Sequence, residues 1–146
     1  MPVGPEQAAR LLQALTEIPI RDVCCGWYDD AAWWLWTDLI RATPPDYVPP
    51  VATLIATTAY QRGNVVLARL ATEHALRCDP GYGLARLMHA AIAAYVHPDL
   101  IRDAIDFALT ETADLPGYTD LHLSTASTDA ADPTDEQPRG QEHGDA

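Results

Sequence analysis

The chain has 146 residues and a formal net charge of −12 at pH 7, because 21 aspartates and glutamates outnumber nine basic residues, all of them arginine. This length suits one domain, and so acidic a chain is a poor candidate for binding nucleic acid or a membrane surface, which both attract clustered basic residues. The N-terminus lacks a signal-peptide layout and no apolar run is long enough to span a bilayer, so we expect a cytoplasmic protein.

The N-terminal part of the chain predicts one clear helix and then an irregular segment. Pro5 suits a helix start, and apolar residues follow it at helical spacing. These residues are Ala8, Leu11, Leu12 and Leu15. Residues 18–28 are less regular, because Pro19 and Gly26 interrupt the helical pattern.

A helix rich in tryptophan is predicted next. Asp29 can cap this helix, which runs to about Ala42. Its tryptophans are Trp33, Trp34 and Trp36. We expect them to pack mainly against the first helix, with at least one at the surface, and a partner-binding patch is the alternative. Residues 43–50, which include four prolines, predict a stiff connector.

The most specific pattern lies in residues 52–80, which predict two helices joined by a tight turn. Gly63 can adopt the left-handed conformation that ends a helix, Asn64 can cap the next helix, and Pro80 stops it. Small or apolar residues stand where a tetratricopeptide-like hairpin needs them. These residues are Ile55, Ala56, Ala59, Ala68 and Ala75. A generic alanine-rich hairpin is the alternative interpretation.

Residues 84–110 predict a second hairpin stacked on the first, with Pro98 opening its second helix. From residue 113 onward the composition becomes polar and acidic, which is typical of a segment that buries too little apolar surface to fold. We therefore expect an all-α protein: a tetratricopeptide-like stack of antiparallel helical hairpins over residues 5–112, followed by a disordered acidic tail over residues 113–146.

Several short segments of this chain also carry a family resemblance. They are residues 20–22, 36–44, 50–54, 59–64, 75–76 and 79–85, together with Ala68. With these segments the chain resembles the C-terminal half of the actinobacterial DUF4192 family, over about residues 8–110 and most specifically over residues 50–87. The resemblance implies a helical, tetratricopeptide-like fold and an actinobacterial host, and it implies no catalytic residues. Members of the family typically carry a further N-terminal region that this chain lacks.

The sequence offers little for catalysis, and we expect no enzyme, no cofactor and no metal site. Its two serines, Ser124 and Ser127, both lie in the predicted tail. The alternative is a thiol- or metal-dependent regulatory protein that uses four side chains, two of which stand one helical turn apart. These side chains are Cys24, Cys25, His74 and Cys78.

The favoured function is a non-catalytic protein–protein interaction module. In tetratricopeptide-like stacks the first helix of each hairpin lines a concave groove, which suits an extended peptide or a partner helix. This predicts a binding surface made of Thr53, Thr57, Tyr60, Gln61, Leu87 and Tyr95. The expected partner is a protein, a peptide or a second copy of the chain, because a short stack needs its ends covered. The alternative is that this face packs on the N-terminal helices.

Overall fold

The regular structure of the described part of the chain is entirely helical. The computed structural model describes residues 2–113. Within that range lie α1 (Pro5–Ala14), α2 (Ile18–Cys25), α3 (Asp30–Leu39), α4 (Val48–Gln61), α5 (Val65–Cys78), α6 (Gly83–Ala93) and α7 (Pro98–Ala113). Two 3₁₀ turns, Ile40–Ala42 and Pro45–Tyr47, connect α3 to α4. The predicted all-α fold is confirmed, whereas the tail predicted from residue 113 lies, from residue 114 onward, outside the described residues.

The predicted helix caps are present. The Asp29 carboxylate accepts a hydrogen bond from the Ala32 N–H at 2.8 Å, and the Asn64 side-chain oxygen accepts one from the Leu67 N–H at 3.1 Å. Gly63 has φ +80°, the left-handed conformation expected of the residue that ends α4. Capping side chains satisfy backbone N–H groups that have no partner inside the helix, so these boundaries follow from local sequence.

Two predicted boundaries were wrong for the same reason. The segment expected to be irregular forms α2, and α4 begins at Val48, inside the predicted connector. Pro19, Pro49 and Pro50 occupy the first turns of these helices. A proline is tolerated there because the first N–H groups of a helix have no intrahelical partner to lose.

Helix α4 is the centre of the fold. All fourteen of its residues are buried, and it packs against α2, α3, α5, α6 and α7. Val51, Leu54 and Ala56 are each 0% exposed. A helix that is apolar or internally satisfied on every side is typical of a core element.

The α4–α5 hairpin is closely packed. Small side chains at Ala59, Ala68, Ala71 and Ala75 are buried, and small residues allow two helix backbones to approach each other. The turn between the helices is closed by the Asn64 N–H, which donates to the Ala59 carbonyl at 2.8 Å. The hairpin predicted over residues 52–80 is thus present, and its tetratricopeptide-like arrangement stays a prediction.

Helices α6 and α7 pack mainly on other helices and not on each other. Helix α6 packs on α4 and α5, whereas α7 packs mainly on α2 and also on α4. Gly26, at the end of α2, faces α7, because a Cβ added there would lie at ordinary van der Waals distance from Leu109 (3.8 Å) and Ile105 (3.9 Å). The expected second hairpin is therefore opened, and a groove lies between its two helices.

The tryptophans divide between the core and the surface. Trp36 is 1% exposed and stacks on Trp27, with ring centroids 6.1 Å apart. Trp34 is 70% exposed, which confirms the prediction that at least one tryptophan lies at the surface. Nearby, the Val3 N–H donates to a carboxylate oxygen of Asp38 at 2.6 Å and fixes the N-terminal segment to α3.

Candidate functional site

A groove with a volume of about 500 Å³ lies between α6 and α7, with α2 at one edge and Thr57 of α4 in its floor. We call it the α6–α7 groove. Its α6 wall consists of Leu84, Leu87, Met88 and Ala91, and its α7 wall of Leu100, Ile101, Ala104, Ile105 and Ala108. Both walls are apolar, and a concave apolar site of this size is typical of ligand or peptide binding.

The groove walls expose more apolar surface than the fold requires. Leu87 is 70% exposed and Leu100 is 61% exposed. Phe107 lies on α7 one turn after Ala104 of the wall, since residues three apart are neighbours on a helix, and it is 68% exposed. A contiguous exposed apolar patch marks an interaction site more often than scattered single side chains do.

The α2 edge of the groove carries a polar cluster. The Nη2 of Arg21 lies 2.6 Å from Oδ1 of Asp22, and its Nη1 donates to the Tyr82 hydroxyl at 3.3 Å. The Arg21 guanidinium also lies 5.8 Å from the centre of the Tyr82 ring. These contacts tie α2 to the residue that precedes α6, and the paired charges leave this edge of the groove neutral.

The ionisation of the cluster follows from its partial burial. Burial lowers the pKa of Arg21, but hydrogen bonds to Asp22 and Tyr82 outweigh it, so that the pKa is raised overall. Burial also raises the pKa of the Tyr82 hydroxyl, against the opposing effect of Arg21. Arg21 therefore stays charged and Tyr82 neutral at pH 7, and the two act as fixed hydrogen-bonding groups.

The cysteines of the thiol hypothesis fall into two environments. Cys24 and Cys25 are buried, and this burial raises the pKa of Cys24 to about 11 and that of Cys25 to about 12. Cys25 lines the groove, but a protonated thiol is a weak nucleophile at pH 7. Cys78 is exposed. In residues 2–113 no group of three or more His, Cys, Asp or Glu side chains is placed to hold a metal ion.

The predicted binding residues of α4 lie inside the protein. Thr53, Thr57, Tyr60 and Gln61 are 0%, 2%, 4% and 8% exposed. The hydroxyl of Thr53 donates to the Pro49 carbonyl at 2.6 Å, and that of Thr57 donates to the Thr53 carbonyl at 2.9 Å. Threonine hydroxyls bonded to the preceding helical turn can be buried at low cost. The face that was expected to be open is thus a packed face.

Two of these residues hold the groove in shape. The Tyr60 hydroxyl donates to the Val96 carbonyl at 2.6 Å, and the Gln61 side-chain amide donates to the Pro98 carbonyl at 3.2 Å. Val96 lies between α6 and α7, and Pro98 is the first residue of α7. Tyr60 and Gln61 therefore fix the start of α7 relative to α4.

The structure brings only two of the six predicted residues into the groove. Thr57 lies in its floor and Leu87 in its α6 wall. Tyr95 is 85% exposed but does not line the groove. Sequence analysis missed the α7 wall, although a signal was present: apolar residues of α7 at positions 100, 104 and 107 extend beyond the face on which Ile101 and Ile105 lie.

A comparison with known proteins gives a family but no activity. Residues 1–99 match the family model described as "Domain of unknown function (DUF4192)". This chain belongs to the DUF4192 family. No curated protein and no solved structure shows significant similarity to it.

The family match can be placed on the helices. It runs from the N-terminus to residue 99, in the first turn of α7, so the α6 wall and the α2 edge of the groove lie within it. The α7 wall begins at Leu100 and follows the matched region. None of the helices within residues 2–113 combines the length and the apolar character that crossing a membrane requires.

Proposed function

We propose that this chain is a non-catalytic protein-interaction module that binds an apolar peptide or helix of a partner in the α6–α7 groove. The observation that carries the proposal is the surplus of exposed apolar side chains, Leu87, Leu100 and Phe107, on and beside the walls of an apolar groove. Covering them would remove apolar surface from water at about 25 cal/mol per Å². Recognition of a helix in a groove uses this kind of surface.

The groove chemistry favours binding over catalysis. The charged groups at its α2 edge are paired with each other, and the Cys25 thiol keeps its proton at pH 7. A catalytic site needs a group poised to exchange a proton or to attack, and burial moves the pKa of both buried thiols away from that range. These pKa shifts also argue against the thiol-dependent alternative.

We further infer a cytoplasmic protein from an actinobacterial host that corresponds to the C-terminal, tetratricopeptide-like half of longer DUF4192 members. The segments that carry the family resemblance support the C-terminal assignment and the host. The absence of lysine among nine basic residues also supports the host, because such a composition is typical of a GC-rich genome.

The proposal can be tested by selecting helical peptides from a display library on the full-length protein. The selected peptides should bind Leu87→Arg and Ala104→Arg at least about tenfold more weakly, a loss of about 1.4 kcal/mol. Val66→Arg is the matched control, because Val66 is 74% exposed on α5 and does not line the groove. Circular dichroism would establish that all three variants keep their helical content. Peptides that bind all variants equally, or a selection that yields none, would overturn the proposal.

A further inference from the structure

The α7 side of the α6–α7 groove carries an acidic flank. Helix α7 carries four acidic residues and a single basic one, Arg102. Asp99, Asp103 and Asp106 are spaced three and four residues apart and therefore share one face of α7. That face borders the exposed apolar residues Leu100 and Phe107. The apolar wall of α7 is thus flanked by an acidic stripe, which we define as Asp99, Asp103 and Asp106.

Most of the charge in this stripe is uncompensated within residues 2–113. Arg102 lies 3.0 Å from a carboxylate oxygen of Asp99, and it also lies 5.0 Å from the centre of the Tyr28 ring. Asp103 and Asp106 are exposed, and neither forms a salt bridge with any described residue. The α2 edge offers no net charge, because Arg21 and Asp22 are paired. The uncompensated charge beside the α7 wall is therefore negative.

The groove also sets the length of its occupant. The α7 wall extends from Leu100 to Ala108, and at 1.5 Å per residue these eight steps span about 12 Å. Slightly more than two helical turns cover this distance, so an occupant presents two or three large apolar side chains at positions i, i+4 and i+7.

We infer that the occupant of the α6–α7 groove is a basic amphipathic helix, whose apolar face enters the groove and whose Lys or Arg side chains meet Asp103 and Asp106. This inference rests on the proposed function and adds the charge of the partner to it. Complementary charges across an interface raise the association rate and exclude partners of like charge. An acidic helix with the same apolar face meets the stripe with repulsion and is rejected.

Two synthetic peptides of about 16 residues, long enough for measurable helicity, would test the inference on the full-length protein. They share one leucine-based apolar face, and the polar flank carries lysine in one peptide and glutamate in the other. Fluorescence anisotropy should show that the lysine peptide binds at least about tenfold more tightly at low salt. The difference in affinity between the two peptides should decrease as added salt shortens the screening length.

Matched variants locate the effect on α7. Asp103→Lys and Asp106→Lys should each reduce the preference for the lysine peptide severalfold. Asp46→Lys is the control, because it makes the same charge change at an exposed position outside the groove and should leave the preference unchanged. Ala104→Arg should abolish binding of both peptides.

The outcomes separate this inference from the proposed function. Equal binding of both peptides, still lost in Ala104→Arg, would overturn the basic partner and keep the groove. Binding of neither peptide would overturn both. Self-association that Leu87→Arg and Phe107→Arg abolish, without binding of either peptide, would assign the groove to a second copy of the chain and would also overturn the inference.

Discussion

Two neighbouring helix pairs of this protein behave in opposite ways. The α4–α5 pair is closed, and every residue of α4 is buried. The α6–α7 pair is open, and Leu87 and Leu100 on its facing walls remain more than half exposed. Both pairs are joined by short turns and both carry apolar residues at helical spacing. A helix–turn–helix pattern therefore does not by itself specify that the two helices pack on each other.

The difference has a physical cause in side-chain size and in competing contacts. Ala59, Ala68 and Ala75 let α4 and α5 approach closely. In the second pair α7 is held elsewhere, since it packs on α2 and Tyr60 fixes the segment before it. The space left between α6 and α7 is the groove, so the site is a consequence of where α7 is anchored.

The largest expected effect comes from the same truncation in the two pairs. Leu54→Ala removes a side chain that is 0% exposed and should lower the free energy of unfolding by about 2–5 kcal/mol through cavity formation. Leu87→Ala removes one that is 70% exposed and should change it by less than about 0.5 kcal/mol. Urea unfolding measures both. Similar losses for the two variants would mean that the groove is closed.

Enlarging a side chain gives the next contrast. Ala68 is 0% exposed between α4 and α5, and Ala68→Leu should lower the free energy of unfolding by about 1–3 kcal/mol because the core cannot accept the added volume. Ala104→Leu adds the same atoms to the groove wall, where space is open, and should be close to neutral. Thermal melts followed by circular dichroism compare the two. A destabilised Ala104→Leu would contradict the open geometry.

Removing one hydroxyl tests what holds the second pair apart. Tyr60→Phe deletes the donor to the Val96 carbonyl and should cost about 1–2 kcal/mol, because a half-buried acceptor loses its partner. Tyr95→Phe is the control, since that side chain is 85% exposed. Hydrogen exchange should increase at the start of α7 in Tyr60→Phe alone. Unchanged exchange would remove Tyr60 from the anchoring role.

Stability at alkaline pH tests whether water reaches the Cys25 thiol at the α2 edge of the groove. Burial raises the pKa of Cys25 from an ordinary value of 9.0 to about 12. As the pH rises, the Cys25 thiol loses its proton in the unfolded chain at a lower pH than in the folded protein. The free energy of unfolding is therefore constant below about pH 9 and falls by about 1 kcal/mol per pH unit from there toward pH 12. Urea titrations at neutral and alkaline pH measure the fall, which Cys25→Ala should reduce. An identical fall in that variant would show that Cys25 is hydrated.

The smallest expected effects lie in the two turns. Gly63 has φ +80° with no atom within 4 Å of an added Cβ, so Gly63→Ala should cost about 1 kcal/mol from backbone strain alone. Tyr95 has φ 52° at the end of α6, and Tyr95→Gly should gain about 0.5 kcal/mol as relief of strain exceeds the added chain entropy. Chemical denaturation would resolve both. The two substitutions should change the free energy of unfolding in opposite directions, and changes in the same direction would contradict the assigned conformations.

Sequence reasoning recovered the helices better than it recovered the surface. The Asp29 and Asn64 caps and the Gly63 turn were predictable, because each involves atoms three or fewer residues apart. The sequence pattern does not predict helix α2, because a proline such as Pro19 usually interrupts a helix, although the first turn of a helix accepts it. Such errors are local and could be avoided with the same information.

The candidate site could be predicted only in small part. Leu87 and Thr57 do line the groove, but Tyr60 and Gln61 donate hydrogen bonds to backbone carbonyls just before and at the start of α7. Their hydroxyl and amide groups suggested a binding stripe, yet the same groups serve equally well as internal donors. Which use they have depends on partners 36 and 37 residues away in the chain.

The sequence by itself therefore determined that this protein is helical and where most of its helices begin and end, because helix periodicity and capping are short-range properties. Only the tertiary structure decided which faces are buried and where the groove lies. That decision depends on long-range contacts, such as those of α7 with α2 and of Tyr60 with Val96, which anchor α7 away from α6.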